Sequence, residues 1–204
     1  MNKDIDVRDC YWLRDPLANR PLRLTDEGYD EWLTTEQVFA LAKGRLKLDR
    51  PLALRAYMGG QATDFLWSGL PPLVCVSARA IELLAENQVS GWATFPVEAH
   101  DRKGALLTGY AGLAVTGGEC ERDRSRSTIV DKPPPVPGVI GQRAYRGLYF
   151  GETQWDGSDM FWVRNCGVVV TRRVCELFKR HKVSNVRLIP LMDAERDVKL
   201  DDYD

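Results

Sequence analysis

The chain has 204 residues, 44% of them hydrophobic and 28% charged, which gives room for one large domain or two small ones of ordinary globular composition. A formal net charge of −1 supplies no overall pull towards nucleic acid or an anionic membrane. No apolar run approaches the roughly 18 residues of a membrane span, and positions 1–6 lack a signal peptide's apolar core. The five cysteines are odd in number and scattered, with Cys75 and Cys175 inside apolar stretches where a thiol acts as a small hydrophobe, so a reducing cytoplasm is the expected location.

In residues 1–48, Tyr11-Trp12-Leu13 predicts a strand ended by Arg14-Asp15-Pro16. Thr34 and Gln37 have capping-box spacing and open a helix whose buried side takes Val38, Phe39, Leu41 and Ala42, with Gly44 placed to end it. Residues 50–100 begin with a strand ending in Gly59-Gly60, then Asp64-Phe-Leu-Trp67 and the apolar run 73–76. Ser77 is positioned to cap a helix whose stripe is Ala80, Leu83 and Leu84. Gly91 then allows the turn into a strand from 92 to 97, interrupted by Pro96.

This pattern recurs in residues 145–192. Adding 94 to any number from 73 to 97 reaches a counterpart: Val76 on Val170, Glu82 on Glu176, Leu83 on Leu177, Ser90 on Ser184, Pro96 on Pro190. Asp159-Met-Phe-Trp162 matches Asp64-Phe-Leu-Trp67 with one residue more. Thr171 stands for Ser77, and Val174, Leu177 and Phe178 form the second stripe. Asn185 replaces Gly91, both being residues that tolerate positive φ, so the requirement at that position is one of geometry. A fixed internal period governs the fold assignment. The expectation is an α+β single domain over 1–204, with two similar strand–helix–strand halves sharing one core and helices packed on one side of mixed sheets. The weakly similar 51–60 and 145–151 would extend the match.

The central region 101–144 is less regular. Residues 106–115 predict a strand pair or a bulged strand, given Gly109 and Gly112. Residues 117–127 read as a charged, solvated loop, in which the Arg122-Asp-Arg-Ser-Arg126 run lacks the aromatics of a nucleic-acid contact. Pro133-Pro-Pro-Val-Pro-Gly138 reads as an extended surface connector, and the acidic residues 193–204 as a solvated tail.

The sequence offers no recognisable chemical constellation. His100 and His181 are the only histidines, His181 falling at the exposed end of the second helix. There is no Cys-x-x-Cys, no phosphate-cradling Gly-x-x-x-x-Gly-Lys-Ser/Thr and no Gly-x-Ser-x-Gly. Asp156-Gly-Ser-Asp159 resembles the opening of a calcium loop but lacks its alternating acids and terminal glutamate. The expectation is therefore no catalytic residue, cofactor or metal.

Leu73-Val-Cys-Val-Ser77, Leu83-Leu84, Val89-Ser-Gly-Trp92 and Phe95-Pro-Val97, with the later 120–127 run, resemble the immunity proteins of bacterial polymorphic toxin systems. The similarity spans about 50–192. It implies that Asp123 with Ser125 or Ser127 forms an acid–serine element and that 167–191 is a second strand–helix segment. It also implies a cytoplasmic, non-enzymatic protein that binds and neutralises a cognate toxin domain, without nucleic acid or membrane. Loops outside a repeated frame are where binding tends to reside, which nominates Glu121, Arg122, Asp123, Arg124, Trp155 and Asp156. The alternative is a small-molecule module or an enzyme with its site between the halves.

Overall fold

The computed structural model describes residues 5–26, 33–133 and 141–201. Residues 134–138 of the expected connector and residues 202–204 of the tail lie outside them. Among the described residues the chain is mixed α/β, mostly sheet with three α-helices. It runs β1 (Cys10–Arg14), β2 (Arg23–Asp26), α1 (Thr35–Ala42), β3 (Leu52–Met58), β4 (Phe65–Trp67), β5 (Val74–Ser77), α2 (Ala78–Glu86), β6 (Trp92–Phe95), β7 (Val97–His100) and β8 (Tyr110–Val115). It continues with β9 (Glu119–Cys120), β10 (Arg122–Asp123), β11 (Thr128–Lys132), β12 (Gln142–Arg146) and β13 (Tyr149–Phe150). The last elements are β14 (Met160–Val163), β15 (Gly167–Thr171), α3 (Arg172–Arg180), β16 (Arg187–Pro190) and β17 (Glu195–Asp197).

Two sheets carry the core, and both borrow a strand. One has the order β4-β5-β8-β6, the other β16-β1-β15-β14-β9. In the first, β8 lies between β5 and β6, with Cys75 opposite Gly112, Val76 opposite Ala111 and Phe95 opposite Gly112. In the second, β1 lies between β15 and β16, with Val169 opposite Trp12, Val170 opposite Tyr11 and Ile189 opposite Trp12. Cys75, Val76 and Phe95 correspond to Val169, Val170 and Ile189 in the sequence match, so the inserted strands sit in the same register. The first segment takes its inserted strand from downstream, whereas the second takes it from the start of the chain.

Period-2 alternation sends successive residues of each strand to opposite faces. Phe65, Val74, Val76 and Leu113 from one sheet meet Leu13, Met160, Trp162 and Val170 from the other in a common cluster. All three helices fill that cluster, α1 with Val38 and Leu41, α2 with Leu83 and Leu84, α3 with Val174, Leu177 and Phe178. Phe65 and Phe178 cross the segments edge to face, centroids 5.8 Å apart. Burial of such side chains stabilises by about 1.5–3 kcal/mol each. The opposite face of the first sheet, with Leu66 and Cys75, is covered by Leu24 of β2, Leu54 and Ala56 of β3 and Ala99 of β7. The opposite face of the second, with Trp12, Phe161 and Val169, meets Leu148, Phe150 and Leu191.

Local expectations fare unevenly. Thr34 and Gln37 form the capping box, Gly44 has φ +67, and Gly91 and Asn185 have φ +82 and +59. Phe39, expected on the buried side of α1, is 42% exposed, because the apolar stripe is Val38, Leu41 and Ala42. Residues 106–115 give a single strand, β8, with Asp101 bracing the preceding turn by accepting from the amides of Lys103 and Ala105. The likeness of 51–60 to 145–151 does not extend to pairing. β3 lies between β2 and β7, parallel to β7, whereas 145–151 holds the end of β12, antiparallel to β11 and β17, and then β13, antiparallel to β10. The tail is not wholly solvated, since Glu195 on β17 takes ion pairs from Lys132 and Arg146.

Candidate functional site

Three places concentrate polar or aromatic side chains. The first is a pair of crossed carboxylates. Asp64, at the start of β4, accepts from Ser77 Oγ at 2.9 Å, from Arg79 Nε at 3.0 Å, and from the amide and hydroxyl of Ser184 at 2.8 and 2.7 Å. Ser184 belongs to the other segment. Asp159 accepts from the amide and hydroxyl of Ser90 at 3.0 and 3.2 Å, from Thr171 Oγ1 at 3.1 Å and from Arg173 Nη1 at 2.9 Å. Each carboxylate thus ties its own strand pair to the turn after the other segment's helix. Burial alone would raise the Asp64 carboxyl, but the bonds from Arg79, Ser184 and Ser77 outweigh it and hold it at about 2. A carboxylate so committed joins the two segments; it has no accessible lone pair for proton transfer.

The second place is where 117–127 meets 151–158. The sequence reads the former as a solvated loop, but it is pinned: β9 pairs with β14 and β10 with β13. Asp156 Oδ2 accepts from the Gly118 amide at 2.7 Å, and Gln154 Oε1 accepts from the Glu121 amide at 2.6 Å. Arg126 reaches Glu152 at 2.9 Å and lies 4.4 Å from the Tyr149 ring centroid. Arg122 stacks on Tyr145 at 5.1 Å, and Glu121 pairs with Arg164 at 2.8 Å. Glu121, Arg122, Asp123 and Arg124 line one depression of about 310 Å³ with Arg164 and Asn165.

Of the nominated residues, these four therefore share a surface. Asp123 accepts from the amide and hydroxyl of Ser125 at 3.0 and 2.6 Å, which lowers its carboxyl. Trp155 instead packs towards Phe161, centroids 6.3 Å apart, and donates its indole N–H to Ser158 O. Asp156 spends its carboxylate on the amides of Gly118 and Ser158, which hold its pKa down against the opposing effect of burial. The calcium-like spelling of 156–159 is thus a turn whose acids accept from backbone.

No protein-family model matches the chain, and no curated protein matches it significantly.

The third place lies between the two halves, where the alternative expectation put a site without naming its residues. A cleft of about 430 Å³ opens between the segments, with Trp12, Trp67 and Trp162 in its lining and Arg14 and Arg196 among its charged residues. The repeated Asp-x-x-Trp contained the signal, because Trp67 and Trp162 are its two tryptophans. What the sequence lacked was the knowledge that β1 would bring Trp12 to the same cleft.

All five cysteines are free and buried. Burial, the largest influence in each, pushes the thiols of Cys10 and Cys75 up to about 12 and that of Cys120 to about 11, well away from thiolate reactivity. Among the described residues no helix is long and apolar enough to cross a membrane.

Proposed function

We propose that the chain is a cytoplasmic, non-enzymatic immunity protein of a bacterial polymorphic toxin system, which binds a cognate secreted toxin domain and blocks it. The supporting observation is the pinned surface of 117–127 and 151–158, where backbone-to-side-chain bonds at 2.7 and 2.6 Å fix two loops that lie outside the matched segments. Prior fixing of a surface removes an ordering cost from association. The surface alternates sign through Glu121, Arg122, Asp123 and Arg124, a pattern that selects a partner by charge complementarity and speeds encounter.

In this reading the matched segments are a doubled strand–helix–strand block within one domain, and their role is to hold that surface still. The equal registers of β8 and β1 support the doubling. So do the crossed carboxylates.

The test is co-expression in bacteria with the toxic C-terminal domain that this reading expects to be encoded beside the gene. The intact chain is expected to restore growth and to co-purify with the toxin. Glu121→Arg combined with Arg124→Glu, both on exposed side chains, is expected to lower complex affinity by about tenfold or more. Absence of both rescue and complex formation by the intact chain would end this reading.

A further inference from the structure

We propose that the cleft between the two segments binds a small organic anion with an aromatic body, the ring system resting against tryptophan and the carboxylate or sulfonate held near Arg14 and Arg196. This is a second site, distinct from the charged loop surface.

Its walls suit such a body. The indole N–H groups of Trp67 and Trp162 are already spent on Asn185 O and Val115 O, each at 2.8 Å, so neither carries an unmet donor into the cleft, and the half-buried Trp67 offers the more open ring. Leu73, Val74 and Leu113 complete an apolar lining. A volume of about 430 Å³ falls in the range of about 300–1,000 Å³ usual for small-molecule sites.

The charge balance at the mouth favours an anion. Two of its three acids are engaged by cations outside the lining: Asp15 takes both Nη atoms of Arg23 at 2.7 and 2.8 Å, and Glu195 takes Lys132 and Arg146. Asp197 accepts from the Lys199 amide. Arg14 lies 4.2 Å from the Trp12 ring centroid, and a guanidinium stacked on a ring keeps its N–H edge for an in-plane oxyanion. Partial burial and the nearby charges of Arg196 and Arg187 lower the pKa of Arg14 against the opposing pull of Asp15, so a bound anion would relieve the repulsion that is left.

Leu17 supplies an independent pointer. It belongs to the lining, is 69% exposed, and has φ +57. The left-handed conformation costs a branched side chain about 1–2 kcal/mol, and its exposure recovers nothing by burial. The Asp15 carboxylate holds that turn by accepting from the Leu17 amide at 2.7 Å. A strained, exposed apolar residue at the lip of an aromatic cleft is accounted for if something closes against it.

The experiment uses the full chain with uniform 15N label and follows the tryptophan indole resonances during titration with 2-naphthoate. A parallel titration uses the uncharged 2-naphthamide. The Trp12, Trp67 and Trp162 signals are expected to shift saturably while those of Trp92 and Trp155 stay, with naphthamide about tenfold weaker. Arg14→Gln is expected to bring naphthoate down to the affinity of the amide. If that variant disturbs the ligand-free spectrum, Arg196→Gln replaces it, and the acid-to-amide ratio in the unaltered protein remains decisive. Equal affinity for acid and amide, equal shifts at all tryptophans, or no shift at millimolar naphthoate would overturn the proposal. Growth rescue measured with Arg14→Gln reads the toxin interaction separately, so either idea can fail alone.

Discussion

Asp64 and Asp159 accept bonds from corresponding donors, yet they do not sit alike. The Asp64 side chain is 7% exposed and receives two nitrogens from Arg79, whereas Asp159 is 13% exposed and receives one from Arg173. Arg173 spends its other Nη on Asn87 O, in the turn after α2, while Arg79 gives its remaining one to His181 O in the turn after α3. The same residues at the same spacing thus make one buried lock and one shallower lock, and the difference lies in how each arginine divides its donors. If depth sets strength, Asp64 holds the two segments together more firmly than its counterpart.

The sharpest way to break that comparison is to truncate each carboxylate. Asp64→Ala leaves the Ser184 amide and the Arg79 guanidinium without their acceptor near the core, and is expected to cost about 3 kcal/mol. Asp159→Ala is expected to cost about 1–2 kcal/mol, because its donors lie closer to solvent. Urea unfolding at neutral pH decides; an equal or larger loss at Asp159 would dissolve the distinction.

The turns after α2 and α3 offer the next contrast. Gly91 and Asn185 both have positive φ, but a Cβ on Gly91 would lie 2.2 Å from the Met160 carbonyl oxygen. Asn185 has room for its side chain and uses it, donating Nδ2 to Phe65 O at 2.7 Å. Gly91→Ala is therefore expected to lose about 2–3 kcal/mol through strain and collision. Asn185→Gly is expected to lose about 1 kcal/mol through the missing bond. Thermal unfolding of the two variants gives the order, and a tolerated Gly91→Ala would mean that the close approach relaxes freely.

Acid should weaken the deeper lock by a predictable route. The Asp64 carboxyl is held at about 2 in the fold against 3.8 ordinarily, so the folded state favours its ionised form. The linked stabilisation, about 2 kcal/mol, is complete above about pH 4 and is lost as pH falls through the folded value. The stability gap between the unaltered protein and Asp64→Asn is expected to narrow by about that amount between pH 5 and 2. A gap that stays constant over that interval would show that the lock does not depend on charge.

The sequence pointed to two alike segments because apolar stripes, a serine–threonine exchange at the helix starts and a glycine–asparagine exchange after the helices fall at one offset. It missed what depends on partners far along the chain. Gln88 and Lys182 both have positive φ, 50 and 51, yet neither residue type prefers that region; only their equal spacing from Gly91 and Asn185 hinted at it. β1 was legible as a strand but not as the filler between β15 and β16, since Tyr11-Trp12-Leu13 names no neighbour. The cleft inherits that gap: two of its tryptophans are in the repeat, but the third arrives through a pairing that spans almost the whole chain. The charged loop was misread for a related reason, because its two-residue strands are held by side-chain acceptors at 154 and 156 that no local pattern reveals.

The smallest effect concerns the helix starts, where the sequence treats Ser77 and Thr171 as equals. Ser77 does two jobs, accepting from the Ala80 amide at 3.2 Å and donating to Asp64 at 2.9 Å. Thr171 makes no side-chain cap to α3 and only donates to Asp159. A cap is worth about 0.5–2 kcal/mol and a single hydroxyl bond about 1. Ser77→Ala is accordingly expected to cost about 1.5 kcal/mol and Thr171→Ala about 0.5 kcal/mol. Combining Ser77→Ala with Asp64→Ala separates the two jobs: if capping matters, the double variant is less stable than Asp64→Ala by the capping share alone, about half the cost of Ser77→Ala. A double variant no less stable than Asp64→Ala would mean that Ser77 acts only through the carboxylate, which would make the two helix starts alike after all.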